Sequence, residues 1–357
     1  MHVMFLFAST GSGHFKAAGY VRDALLKQNR ETIVSMADVL NLCDFPVKSF
    51  ILNRFKQLIS KCPSVYRFLY RLTENNAWFN RVAAIFFSGS IQLLKERCVA
   101  EKVQVLVCTH PLALLFASRL NREMKESCPV TMGIITDYQI HRFWLYPYID
   151  LYCVPNKEMK EELMILGWHH DKVRVTGVPC PLDLSSAGEE ATTAPFWLLS
   201  GGGWGLGNLE ATTRCLLKKH KHCNLLVVTG ENRSLYLRLK ALEEKNPGRL
   251  KVMGTIPHLF NTMKNALAVL TKPGGLTVTE AMILKKPLIL LKPLPGAEEK
   301  NLKYLVKHNA AIPYHSFMEK PEIINFWQDY HSIHQATTAR SDSSCLIAQW
   351  ILEEGSR

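Results

Sequence analysis

The sequence has no Cys-x-x-Cys pair, although ten cysteines are scattered along its 357 residues. A chain of this size needs no disulfide framework, so reduced, mostly buried thiols in a cytosolic setting are expected. No apolar run reaches the ~20 residues required to span a bilayer, which excludes a transmembrane helix. The N-terminal MHVMFLFAST lacks the basic lead and cleavage site of a signal peptide and reads as a buried first strand. No Asp-x-Asp pair or other clear metal-ligand cluster stands out, so no metal is expected. Acids are scarce: 31 Asp and Glu face 43 Lys and Arg, a formal charge of +12. That balance favours phosphate groups, anionic lipid surfaces or nucleic acid. No recognised nucleic-acid motif is present, which argues against the last.

An apolar fraction of 47% over this length implies about two globular domains. Short apolar runs alternate with helical patterns, as in an α/β protein of parallel sheets. Strands are expected at 3–8, 32–36, 103–108, 130–135, 151–154 and 173–177. A polar, small-residue linker at about 181–195 separates them from a second series at 196–199, 225–228, 251–253, 266–270, 287–291 and 310–313. The expected division is 1–180, 196–335 and a C-terminal helix in 336–357. Each half carries a glycine-rich turn after its first strand: Thr10-Gly11-Ser12-Gly13-His14 and Ser200-Gly201-Gly202-Gly203-Trp204-Gly205. The first turn invites a dinucleotide site with Asp38 as the ribose acid. It lacks the third glycine of that fingerprint, since Lys16 and Ala17 stand there. His14, Asp38, His110, Asp137 and His141 follow successive strands. Parallel strands end on one edge, so these groups should converge.

The stretch 270–301 is the most informative. A strand stops at Thr271-Lys272-Pro273, Gly274 and Gly275 turn the chain, and Thr277, Thr279 and Glu280 open a helix. Free N–H groups at such a helix start suit a phosphate, and Glu280, expected in the first turn, suits ribose hydroxyls. After the next strand, Pro295-Gly296 leads into Glu298, Glu299 and Asn301. Carboxylates and an amide on one loop suit a hydroxyl-rich ligand, and a nucleotide sugar satisfies both halves. Residues 45–81 differ in character: seven Lys and Arg, one acid (Glu74) and many aromatics. Such a basic amphipathic segment either docks on an anionic membrane or packs on the sheet with a solvated face.

The ordered motifs TGSGHFKAA (10–18), HPL (110–112), TDYQIHRFW (136–144), VTGVP (175–179), SGGGWGLGN (200–208), VTGEN (228–232), TKPGGLTVTEA (271–281) and PGAEEKN (295–301) resemble those of monogalactosyldiacylglycerol synthases and bacterial processive diacylglycerol glucosyltransferases. The chain is similar, more distantly, to the transferase that adds N-acetylglucosamine to the lipid-linked peptidoglycan precursor. The resemblance implies a GT-B fold and a UDP-sugar, UDP-glucose or UDP-galactose, held by the C-terminal half. It further implies a diacylglycerol-type acceptor at the N-terminal half and inversion to a β-glycoside. By position, Gly201, Gly202, Gly203, Gly274, Gly275, Leu276 and Thr277 should face the pyrophosphate. Glu280 matches the ribose acid, and Glu299 and Asn301 match the donor-sugar loop. Gly230, Ile256, Lys272 and Glu298 complete the expected donor set. On the acceptor and membrane side stand Gly13, Arg54, Phe55, Lys56, Arg67, Trp78, His141 and Trp144. Ala297 stands where the family commonly has Gln, which leaves the hexose open.

An inverting transfer needs a base for the acceptor hydroxyl and stabilisation of the departing diphosphate. His14 is the expected base, its ordinary pKa lying near working pH, with Asp137 the runner-up or the orienting partner of His14. No cofactor or metal is implied beyond the UDP-sugar, and a peripheral position on the cytoplasmic face of a membrane follows. The alternatives are another lipid-linked acceptor of polyprenol type, a UDP-sugar epimerase on the same plan, or a non-enzymatic nucleotide-sugar sensor.

Overall fold

The computed structural model describes residues 1–44, 48–50, 58, 62–75, 86–125, 128–183, 195–326, 334–335 and 338–356. Arg54, Phe55, Lys56, Trp78, Trp327 and most of the expected linker lie outside the described residues. The chain divides into two compact units. The first comprises Met1–Thr10, His14–Leu182 and Ser341–Arg357; the second comprises Asp183–Arg340 with Gly11–Gly13.

The first unit runs β1 (His2–Phe7), α1 (Ser12–Gln28), β2 (Ile33–Asp38), α2 (Pro63–Asn75), α3 (Ser88–Ala100), β3 (Val105–Cys108), α4 (Pro111–Met124), β4 (Val130–Ile134), β5 (Leu151–Val154), α5 (Lys157–Ile165) and β6 (Val173–Val175). Its six strands pair in parallel in the order β2-β1-β3-β4-β5-β6. Side chains alternate across a strand, so each apolar run feeds two cores. Val3, Phe5 and Phe7 join Val105, Val107, Met132 and Ile134 on one face, beneath Ala18, Val21 and Leu25 of α1. Met4 and Leu6 join Leu106, Cys108 and Tyr152 on the other, against Leu114 and Ala117 of α4.

The second unit runs β7 (Phe196–Ser200), α6 (Leu209–Lys219), β8 (Asn224–Val228), α7 (Arg233–Glu244), β9 (Leu250–Met253), α8 (Leu259–Lys264), β10 (Ala266–Thr271), α9 (Gly275–Ile283), β11 (Leu288–Leu290), α10 (Ala297–Lys307), β12 (Ile312–Pro313) and α11 (Tyr314–Glu319). Its parallel order is β12-β11-β10-β7-β8-β9. The last helix, α12 (Ser343–Gly355), belongs to the first unit: Ile347, Ala348 and Ile351 complete the core under α1. Ser343 Oγ donates to the Val178 carbonyl at 2.7 Å, and Ser344 Oγ to that of Cys180 at 2.6 Å.

Both sheets are doubly wound, the α/β plan of a GT-B protein. Each has a topological switch point, where consecutive connections leave in opposite directions and the crevice beyond the strand ends takes ligands. In the first sheet this lies between β1 and β3, in the second between β7 and β10. The register sets Leu6 beside Cys108 and Ser200 beside Thr271, so the turns that follow these strands are neighbours.

Candidate active site

At the first switch point the turn after β1 meets the turn after β3. His14 is the third residue of α1. Its Nδ1 lies 2.5 Å from the Thr109 carbonyl oxygen, and Thr109 Oγ1 donates to the His14 carbonyl at 2.9 Å. A carbonyl only accepts, so Nδ1 carries the proton and neutral His14 presents the lone pair of Nε2. No described group hydrogen-bonds Nε2. Burial pushes the His14 pKa below 6.5, while the Asp137 charge and the Thr109 hydrogen bond pull it back. Asp137 Oδ2 accepts from Trp144 Nε1 at 3.1 Å, and the Trp144 ring, itself buried, lies 6.1 Å from that of His14. Asp137 therefore acts on His14 through its charge, and the contact that orients Nδ1 comes from the Thr109 backbone.

Not every strand-end group joins this cluster. Asp38 accepts from Ser9 Oγ at 2.6 Å, from Ser9 N at 3.3 Å and from Leu40 N at 3.0 Å, so it braces the first turn and caps the one after β2. His141 is buried, and both ring nitrogens are engaged. Nδ1 accepts from Phe143 N at 3.0 Å, so Nε2 donates to the Tyr70 carbonyl at 3.2 Å. The Tyr70 ring lies 3.9 Å from it. His141 thus ties α2 to the turn after β4. Arg67 is half-buried on α2, whereas Val65, Phe68 and Arg71 are exposed there. Gly13 lies in the first turn of α1, and a Cβ on it would meet nothing within 4 Å.

At the second switch point, Gly202 adopts φ +71° and Gly205 φ +56°. Gly205 N donates to Gly202 O at 3.0 Å, and Leu206 N to Gly201 O at 3.1 Å. The turn after β8 locks onto this loop, Glu231 N donating to Gly203 O at 2.8 Å, and onto the turn after β9, Gly230 N donating to Gly254 O at 3.2 Å. Ile256 is buried shortly beyond. Opposite, α9 starts after Gly274, which has no side chain to cap it. The first N–H groups of Gly275, Leu276 and Thr277 thus have no intrahelical partner. The Lys272 ammonium stands beside this helix start, 3.7 Å from where a Gly274 Cβ would be and 3.6 Å from where a Gly202 Cβ would be. Lys272 is ion-paired with Glu298, whose other oxygen accepts from Leu294 N at 2.9 Å.

Two expectations need correction. Glu280 is the sixth residue of α9, in its second turn and 2% exposed, so it does not stand at the helix dipole's positive end. The sequence pattern misplaced it because the glycine pair delays neither helix nor turn: α9 begins at Gly275 itself. Residues 297–301 are not a loop but the opening of α10, with Glu298 and Glu299 in its first turn. Glu299 closes a capping box, accepting from Gly296 N at 3.2 Å. Buried Asn301 donates through Nδ2 to the Pro273 carbonyl at 3.1 Å, tying α10 to the turn before α9. The residue types alone did not single out Arg233 and Tyr236, which with Gly230, Glu231 and Gly254 line an open depression of about 310 Å³. Among the described residues one trio has metal-ligand spacing, exposed His169, His170 and Asp171, just before β6 and thus at the opposite sheet edge from His14.

Residues 14–180 match the monogalactosyldiacylglycerol (MGDG) synthase family, and residues 202–325 match the glycosyltransferase family 28 C-terminal domain. The first half thus carries an MGDG-synthase domain and the second a family 28 C-terminal domain. It is similar to the processive diacylglycerol β-glucosyltransferase of Bacillus cereus (strain B4264), at 26% identity over 87% of this chain and 81% of that protein. Solved structures share the fold. MurG of Acinetobacter baumannii aligns with a TM-score of 0.59 at 16% identity, over 99% of both chains. UDP-GlcNAc 2-epimerase of Neisseria meningitidis, bound to UDP-GlcNAc, aligns with a TM-score of 0.61 at 13% identity, over 99% of this chain and 100% of that one. A glycosyltransferase and its GT-B architecture are thereby identified; the fold, shared with an epimerase, does not by itself choose the reaction.

Proposed function

We propose that the protein transfers a hexose, glucose or galactose, from a UDP-sugar to diacylglycerol at a membrane surface, with inversion, to give a β-glycosyl glycolipid. The observation that carries this reading is a histidine with an open Nε2 inside the half that matches the MGDG synthase family. In the proposed step His14 Nε2 takes the acceptor hydroxyl proton as that oxygen bonds to the anomeric carbon. The bond from that carbon to the diphosphate breaks with its electron pair on UDP. Asp137 stabilises the imidazolium by charge. The start of α9 and the Lys272 ammonium stabilise the leaving diphosphate, with no metal needed. Glu280, Glu298, Glu299 and Asn301 are the proposed ribose and sugar side of the donor site.

Radiolabelled UDP-glucose and UDP-galactose are incubated with diacylglycerol vesicles, and the lipids are separated by chromatography. Label in a hexosyl lipid from one of the two donors is the expected result. Label that stays in water with both donors sinks the lipid acceptor, and an isomerised sugar nucleotide formed without lipid points to an epimerase.

We further propose that α2 and its flanking basic segment hold the enzyme on the cytoplasmic face of an anionic membrane. Val65 and Phe68, three residues apart on one helix face, are 51% and 62% exposed with Arg71 nearby. Exposed apolar side chains among cations suit the headgroup region. Flotation on anionic vesicles should weaken roughly tenfold or more in Val65→Asp/Phe68→Asp, from the lost apolar burial. Wild-type flotation that ignores salt and anionic lipid content would remove the electrostatic part of this docking.

A further inference from the structure

The turn after β3 does more than supply a strand end. His110 caps α4: its Nδ1 accepts from Leu112 N at 3.0 Å. That acceptor role places the proton of the neutral ring on Nε2. Nε2 lies 3.0 Å from Thr10 Oγ1, so it donates to the hydroxyl of the residue that opens the glycine turn before His14. The His110 ring also meets the His14 ring edge to face, with centroids 4.5 Å apart and planes at 83°. The neighbouring Thr109 grips His14 at two points, its Nδ1 and its carbonyl. Three hydrogen bonds and a ring contact thus join two turns about 95 residues apart in the chain. The glycines that let the first turn form also leave it soft; Asp38 braces its start through Ser9, and Thr109 and His110 fasten it on the other side.

We propose that His110 is a positioning residue for the glycosyl transfer: as the Nε2–H tautomer it ties the glycine turn to the start of α4 through Thr10, and its ring walls the His14 imidazole from water. This role rests on His14 being the base of the proposed reaction. Burial, with the nearby His14 charge, holds the His110 pKa well below 6.5, so the tie persists across the neutral range. The groups facing His14 are then the Asp137 carboxylate, the Thr109 carbonyl, the neutral His110 ring and Trp144.

A cap alone and a positioning device are separable by His110→Asn. Asparagine is a good N-cap, so it keeps α4 closed while losing the bond to Thr10 and the ring wall. The expected result is unchanged thermal stability, unchanged KM for the UDP-sugar and kcat lowered roughly 10- to 100-fold, as for a misplaced catalytic group. Thr10→Val should reproduce the effect, and the double variant should lose little more than either one, because both break the same tie. Histidine 15N NMR of the full chain reads His14 without any turnover. Its titration should move up toward 6.5 in His110→Asn as water reaches the ring, and the Nδ1–H tautomer should lose its dominance. A His14 titration and tautomer identical to wild type in that variant overturns the proposal, as does full kcat. If the wild type transfers no sugar at all, the proposed function fails, and the NMR result still decides whether His110 positions His14.

Discussion

His14→Ala lowers turnover by about 10²-fold or more, the usual share of a positioned base, with UDP affinity measured by calorimetry unchanged. The expectation rests on the open Nε2 that the Thr109 carbonyl creates. It also fixes the sign of the pH dependence. Protonated His14 cannot accept a proton, so activity is lost as pH falls through its pKa, which burial places below 6.5. The pH profile of kcat/KM should therefore be flat through neutrality and fall only on the acid side. Asp137→Asn separates the two candidate bases. Asp137 raises the His14 pKa, so its loss should shift the acid limb further down and weaken transfer through the unstabilised imidazolium. An acid limb that disappears in Asp137→Asn while His14→Ala keeps near-normal turnover would assign the proton to the carboxylate.

The second large effect falls on the other switch point. A Cβ on Gly205 would stand 1.9 Å from the Thr229 carbonyl oxygen, at φ +56°. Gly205→Ala must therefore pry apart the turns after β7 and β8 as well as adopt a left-handed backbone. The two costs together come to about 2–5 kcal/mol. Gly207→Ala is the control: its φ of +102° is strained, but a Cβ there meets nothing within 4 Å. Urea unfolding should place Gly205→Ala clearly below Gly207→Ala, and UDP affinity should fall with it. Equal midpoints for the two variants would show that backbone strain alone, not the close approach, makes glycine necessary at Gly205.

Much of this was legible before any coordinates. Among the described residues the expected apolar runs became parallel strands, because a central strand covered on both faces must be apolar throughout. The glycine turns announced themselves by composition, and the strand ends placed His14 and Asp137 on one edge. Two placements were off by about a turn, and they share one cause. Glu280 and the Glu298–Asn301 group were placed by counting from glycines and prolines, and those residues mark a helix start only to within a turn. The dinucleotide reading with Asp38 as ribose acid was already weakened by the missing third glycine, and Ser9 and Leu40 take the Asp38 oxygens. His141, expected on the acceptor side, has both ring nitrogens bonded, to the Tyr70 carbonyl and Phe143 N.

By itself the sequence determined the two sheets, the strand ends that His14 and Asp137 follow and the glycine turns that open helices. These follow from periodicity and from glycine's backbone freedom, both written in a few consecutive residues. Only the tertiary structure decided which nitrogen of His14 is open, that Asp137 acts by charge, and that the last helix returns to cover the first sheet. A hydrogen bond from a backbone carbonyl 95 residues away has no side-chain signature, since every residue carries a carbonyl. The pairing of β1 with β3 chooses this one.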